Sequence, residues 1–200
     1  MVSTHTETVL NLANEQQIIK PGDLEAAGVP RIVLTRLVRS GQLKRVSRGR
    51  YMLPDHSFGA HENLALVASK VRQGVFCLLT ALQFHELTTQ SPFQIWLAIP
   101  NKAQPPKLEY PPLRIFRFSG DALTEGVEIH RVEECEIQVY SVAKTVVDCF
   151  KFRNKIGLDV ALEALKEAWR EKRATMDELW KYAQICRMTN VMRPYLETLE

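Results

Sequence analysis

The 200-residue sequence has no apolar stretch that reaches the roughly 18 to 20 residues of a membrane-spanning helix. Its longest apolar runs, such as Ile95–Ile99, are strand-sized. The opening residues MVSTHTETVLNLANEQQ lack both the basic start and the apolar core of a secretory leader. These absences point to a cytoplasmic protein with no membrane partner. Glycine is scarce, at nine residues with no triplet period, which excludes a collagen-like chain. Neither GxxxxGK(S/T) nor GxGxxG occurs, so a nucleotide cofactor has no phosphate loop to sit on. Four cysteines (Cys77, Cys135, Cys149, Cys186) lie far apart without a CxxC pair. That spacing suits neither a zinc site nor a dense disulfide framework, and single buried thiols are expected.

What remains is an ordinary globular mixture, 46% hydrophobic and 24% charged. A wholly disordered chain would be poorer in apolar residues. The length allows one large domain or two small ones, and suffices for a core without disulfides or a structural metal.

Charge separates the two ends of the chain. The net charge is +3. Residues 1–53 hold eight basic groups (Lys20, Arg31, Arg36, Arg39, Lys44, Arg45, Arg48, Arg50) against four acids, a balance of +4. The remainder is at −1, and residues 31–50 carry seven basic groups and no acid. Such asymmetry suggests a polyanion-binding end on a neutral body.

The basic end carries helix-turn-helix spacing. Val9, Leu10, Leu12 and Ala13 form an amphipathic stripe over residues 3–15. Pro21-Gly22 breaks the chain, and Asp23 can cap a short helix over Leu24–Ala27, which Gly28 ends. Pro30 suits a helix start, having no amide to leave unpaired. The third helix then runs to about Ser40, with Val33, Leu34, Leu37 and Val38 as its buried stripe. Arg31, Thr35, Arg36 and Arg39 fall off that stripe, and Gly41 supplies the stop. In QLKRVSRGRYML, Ser47-Arg48-Gly49-Arg50 turns and Tyr51-Met52-Leu53 runs back, a two-stranded wing with Arg at its tip. A third helix of this kind enters the major groove, and Arg and Lys on a wing neutralise phosphates.

The stretch TRLVRSGQLKRVSRGRYML resembles the N-terminal winged helix of AbiEi-type antitoxins. The family pattern is a helix ending in Gly, then Leu, a basic residue and an R-G-x-Y wing. Here those are Gly41, Leu43, Arg45, Arg48, Gly49 and Tyr51. A looser likeness continues to about residue 190 through TALQFHEL and VYSVAKTVVDCF. The resemblance implies the autoregulating antitoxin of a type IV toxin–antitoxin system linked to phage defence. It implies double-stranded DNA as partner, at inverted repeats upstream of its own operon. It also implies that the second domain opposes a nucleotidyltransferase-like toxin without a stable complex.

After residue 54 the pattern is that of a second, neutral domain. Leu64–Val71 and Leu78–Glu86 read as helices, the latter with Thr80 as its cap. Phe93–Ile99, Leu113–Phe118, Val127–Val132 and Ile137–Tyr140 read as strands, Phe93–Ile99 as an interior one. The segment Asn101–Pro112 holds four prolines and reads as a loop. Ser141 caps a helix marked by Val142, Ala143, Val146, Val147 and Phe150. Another spans Leu158 to Trp169. A capping box, Thr175 to Glu178, opens a last helix with Leu179, Tyr182, Ala183 and Cys186 inward.

Catalytic motifs fail on inspection. His61-Glu62 and His85-Glu86 lack the second His of a zinc protease. Ser141-x-x-Lys144 lacks the partner motifs of an acyl-serine enzyme, and Ser141 is better used as a cap. Glu133, Glu134 and Glu136 read as a solvated turn rather than a Mg²⁺ site. Asp148 has Lys144 at i−4 and Lys151 at i+3 as structural partners. Arg114, Arg117 and Arg131 read as exposed strand charges.

The expectation is an α+β chain: a winged helix-turn-helix over residues 1–54, then a mixed α/β domain over 55–200 with a small sheet and a helical end. Arg31, Thr35, Arg36 and Arg39 would face the major groove, and Lys44, Arg45, Arg48 and Arg50 the phosphates or the minor groove. No catalytic residue, metal or cofactor is expected. A winged helix that docks a protein or an RNA is the alternative. An enzyme whose carboxylates converge only in space is a third reading.

Overall fold

A computed structural model describes residues 5–16, 18–47, 49–54, 60–108, 110–132 and 135–199. The chain is mixed α and β, with helices first, then a mixed sheet, then a helical end. It divides into two compact units, Met1–Gly59 and Ala60–Glu200.

The first unit holds α1 (His5–Gln16), α2 (Pro21–Ala26), α3 (Ile32–Arg39) and the hairpin strands β1 (Lys44–Ser47) and β2 (Arg50–Met52). Its core joins Val9 and Ala13 of α1, Leu24 of α2, and Val33, Leu34 and Leu37 of α3. Pro21 does not break the chain ahead of α2; it is the first residue of that helix. Asp23, expected as its cap, sits three residues past the true cap, Lys20, and accepts from the Lys20 N–H at 2.7 Å. Proline fits because the first helical position needs no amide donor.

The turn from α2 to α3 depends on Gly28, whose φ is +69°. That left-handed geometry costs a side chain about 1 kcal/mol and costs glycine almost nothing. It lets the Val29 N–H reach the Leu24 carbonyl at 2.8 Å and the Gly28 N–H reach Glu25 at 3.0 Å. Val29 and Leu24 are both buried there, the apolar contact typical of this helix ending. The same bond pattern ends α3, with Gln42 donating to Leu37 and Gly41 to Val38.

In the hairpin, Lys44 lies opposite Met52 and Arg45 opposite Tyr51, with a register shift between Arg45 and Ser47. Ile19 adds a bridge that the sequence reading did not anticipate. Its N–H and C=O bond the Tyr51 backbone at 2.9 and 3.0 Å. The hairpin is thereby tied to the chain just before α2.

The second unit is a five-stranded sheet in the order β5-β4-β3-β7-β6. The strands are β3 (Val75–Phe76), β4 (Ile95–Pro100), β5 (Leu113–Phe118), β6 (Val127–Val132) and β7 (Cys135–Tyr140). Neighbours β4/β5 and β3/β7 are parallel, while β3/β4 and β6/β7 are antiparallel. Helix α4 (Ala60–Lys70) supplies Leu64 and Val67 to one core, with Phe76, Leu97, Ile99, Ile137 and Val139. Alternate strand residues Val75, Trp96, Ala98, Phe116, Phe118 and Tyr140, with Cys77 just past β3, enter the other core. There they meet α5 (Leu78–Phe84), α7 (Val142–Lys151), α9 (Leu158–Arg170), α10 (Met176–Ile185) and α11 (Thr189–Leu196). Two short helices, α6 (Asp121–Thr124) and α8 (Arg153–Ile156), complete the unit. The period of two along each strand therefore feeds both faces of a covered sheet.

Several local expectations change here. Phe93 is not in an interior strand; it precedes β4 and is 83% exposed. On β5, Phe116 and Phe118 are the buried residues. Thr80 is no cap: Cys77 holds that position, and the Thr80 hydroxyl accepts from the Trp96 N–H at 2.8 Å. Ser141 does cap α7, accepting from the Lys144 N–H at 3.4 Å. Thr175 and Glu178 form the reciprocal box of α10, at 2.8 and 3.2 Å. Glu133 and Glu134 lie outside the described residues, and Glu136 is exposed.

Candidate nucleic-acid interface

Helix α3 is sharply two-sided. Val33, Leu34 and Leu37 are buried, while Arg31, Thr35, Arg36 and Arg39 are all exposed. The exposed residues fall at i, i+4, i+5 and i+8, a single face of a helix. The four are not electrostatically equal. Arg31 Nη2 lies 2.5 Å from Glu25 Oε1 of α2, so an acid already balances its charge. Arg36 and Arg39 have no carboxylate partner among the described residues. Both sit in the last turn of α3, where the helix dipole also favours a cation.

The same face carries Ile32, which is 55% exposed. The sequence reading did not single it out, because an apolar residue beside Val33 reads as core. Its position at the helix start was the available signal.

The hairpin presents its cations unevenly. Arg45 is exposed, and Lys44 and Arg50 are half-buried. Lys44 Nζ donates to the Pro54 carbonyl at 3.3 Å, which ties that ammonium to the chain leaving the hairpin. Arg48 lies outside the described residues. Gly49 turns the hairpin at φ +71°.

Several polar and charged residues of the second unit are committed to structure. Arg117 Nη1 donates to the carbonyls of Asn101 at 2.6 Å and Ala103 at 2.9 Å, closing the turn after β4. Arg114 stacks its guanidinium 4.2 Å from the Trp96 ring centre. His85 is buried and bonds the Tyr140 carbonyl through Nε2 at 2.7 Å. Burial holds its imidazole below the usual histidine range, only partly opposed by that bond. Lys144 is committed to Asp148, at 2.6 Å, with both side chains fully buried. Burial pushes the Asp148 carboxyl up, and Lys144 pulls it back in part. The Cys186 thiol donates to the other Asp148 oxygen at 3.4 Å, and burial raises that thiol to about 12. The Ser141–Lys144 pair is thus a cap beside a committed ammonium, not an acylation site. Among the described residues no group of three or more His, Cys, Asp or Glu side chains converges to hold a metal ion.

The first unit is three helices with a basic exposed face followed by a hairpin. Residues 7–54 match the family of AbiEi antitoxin transcriptional regulators, so the likeness read from the sequence holds over this unit. No curated protein matches the chain. Among the described residues no helix is long and apolar enough to cross a membrane.

Proposed function

We propose that the chain is a DNA-binding autorepressor and antitoxin of the AbiEi kind, without catalytic activity, acting in the cytoplasm. In this reading residues 1–54 are a winged helix-turn-helix. Helix α3 enters the major groove with Thr35, Arg36 and Arg39 toward the base edges. The hairpin cations Arg45, Arg48 and Arg50 meet phosphates or the adjacent minor groove, with Arg31 and Lys44 in supporting positions. The site is an inverted repeat upstream of the protein's own operon. Residues 55–200 counter a nucleotidyltransferase-like toxin of a type IV phage-defence system without forming a stable complex with it.

One observation carries the proposal. The acid-free face of α3 opposes the stripe that docks the helix, within the segment that matches the regulator family. A face built this way can approach a polyanion with its geometry already fixed by the core.

The test is a salt titration of binding to the upstream DNA, for the wild type and an Arg36→Ala, Arg39→Ala, Arg48→Ala variant. With about four to six phosphates neutralised, log K falls with log salt at a slope of about −4 to −5. Loss of site preference, from Arg36 and Arg39, and a slope shallower by about 1, from Arg48, support the reading. A salt-insensitive wild type with no site preference overturns it in favour of a protein-docking module.

A further inference from the structure

The sheet of the second unit ends on one side at β6, and that edge is built unlike the other. Strand β6 pairs with β7 without a break from Val127 to Val132, and it contains no Pro, Gly or bulge. Long regular edges are what folded proteins normally blunt, because their outward amides and carbonyls template another strand. The opposite edge, β5, follows Pro111-Pro112 and bears Arg114 and Arg117 with no acid. Two copies of β5 would therefore repel. Strand β6 carries Glu128, His130 and Arg131, a mixed set.

The register fixes which backbone groups point outward. The Ser141 N–H donates to the Gly126 carbonyl at 2.7 Å. Ladder bonds in an antiparallel pair recur at every second residue. Glu128, His130 and Val132 thus turn their backbone toward β7. Val127, Ile129 and Arg131 turn theirs to the open side. At the middle of that open row, Ile129 is 68% exposed, a large apolar side chain with no cover.

We propose that β6 pairs antiparallel with β6 of a second copy of this chain, across a two-fold axis at Ile129. A two-fold axis perpendicular to the sheet keeps each side chain on its own face, so only residues of like parity can lie opposite one another. Shifting the axis to Glu128 sets two carboxylates face to face. Shifting it to His130 sets Glu128 opposite Val132. Centring it on Ile129 sets Glu128 opposite the second copy's His130, and His130 opposite its Glu128. Glu128 already accepts from His130 Nε2 within one strand at 3.0 Å, so the two groups are compatible at contact distance. Ile129 then covers its own counterpart, and Val127 exchanges backbone bonds with Arg131. The pairing is independent of whether the first unit binds DNA.

The experiment is sedimentation equilibrium of the full chain, with two variants. The wild type dimerises with Kd on the order of 10 µM, as suits a small interface. Ile129→Lys, whose backbone bonds face away from β7, keeps its melting temperature and raises Kd at least about tenfold, by placing two ammonium groups at the axis. An Ile129→Cys, Cys135→Ser variant gives a disulfide-linked dimer on mild oxidation, because only this axis brings residue 129 of two copies within about 6 Å between Cα atoms. An Arg114→Cys, Cys135→Ser control stays unlinked. A chain that is monomeric throughout the micromolar range overturns the proposal. So does a dimer that Ile129→Lys leaves intact and residue 129 fails to crosslink.

Discussion

Lys144 and Asp148 meet at 2.6 Å one turn apart on α7, and neither side chain is reached by solvent. The ammonium also lies 4.1 Å from the centre of the Tyr140 ring and 5.0 Å from that of Phe118. Removing two charges from water is costly, so the pair depends on both members being present. Lys144→Met leaves a buried carboxylate whose hydrogen-bond partner is the Cys186 thiol, and Asp148→Leu leaves a buried ammonium. Each single variant should lose about 3 to 5 kcal/mol of stability, whereas the double variant should fall within about 1 kcal/mol of wild type or exceed it. Denaturant unfolding of the three variants measures the difference, and equal losses in all three would refute the coupling.

The pair formed by Arg31 and Glu25 leads to a prediction of opposite sign. Glu25→Gln releases Arg31 from its acid while leaving α2 and α3 in place. It should tighten DNA binding and steepen the salt dependence by about 1. Arg31→Ala should weaken binding less than Arg39→Ala, because only Arg39 starts without a carboxylate partner among the described residues. Fluorescence anisotropy across a salt series would reveal the order.

Thr80 supplies a test of the sheet's interior. Its hydroxyl is the acceptor for the Trp96 N–H, in a buried position. Thr80→Val keeps the shape and removes the acceptor. Leaving that amide unpaired should cost about 1 to 3 kcal/mol, while Thr80→Ser should cost less. Thermal unfolding of the two variants would separate the hydrogen bond from the packing.

His85 gives the fold a pH dependence. Its folded-state pKa lies below the usual value of 6.5, chiefly through burial. The unfolded chain therefore binds a proton more readily than the folded one. The stability contributed by neutral His85 is fully present above pH 6.5 and is lost as the pH falls toward its folded-state pKa, at no more than about 1.4 kcal/mol per pH unit. His85→Gln retains a donor for the Tyr140 carbonyl and should flatten this part of the profile. Unfolding free energies between pH 7.5 and 5 (chosen to bracket the histidine range) would expose an unchanged slope if the assignment is wrong.

Much of the first unit was legible because its signals are local. Gly28 and Gly41 end helices wherever the chain places them, and the Val33–Leu37 stripe names the buried side of α3 without reference to anything else. Ile19 was not legible. Its bridge to Tyr51 spans 32 positions, and nothing in an isolated Ile18-Ile19 marks it as a strand. The central strand β3 escaped for a related reason. Two residues, Val75 and Phe76, are too few to display a period, and only pairing with β4 and β7 makes them a strand.

The sequence by itself determined the charge separation, the helix ends at Gly28 and Gly41, the caps at Ser141 and Thr175, and the candidate binding face. Each of these follows from residues within one or two turns of one another. Tertiary structure alone decided which charges are free to act. Arg31 is balanced by Glu25 of another helix, Arg117 is spent on the turn after β4, and Lys144 is sealed with Asp148 in the core. It also decided that β6 is an outer strand and that Ile129 stands uncovered on it. Burial and cross-element partners depend on where distant segments meet, and a residue's neighbours along the chain do not carry that information.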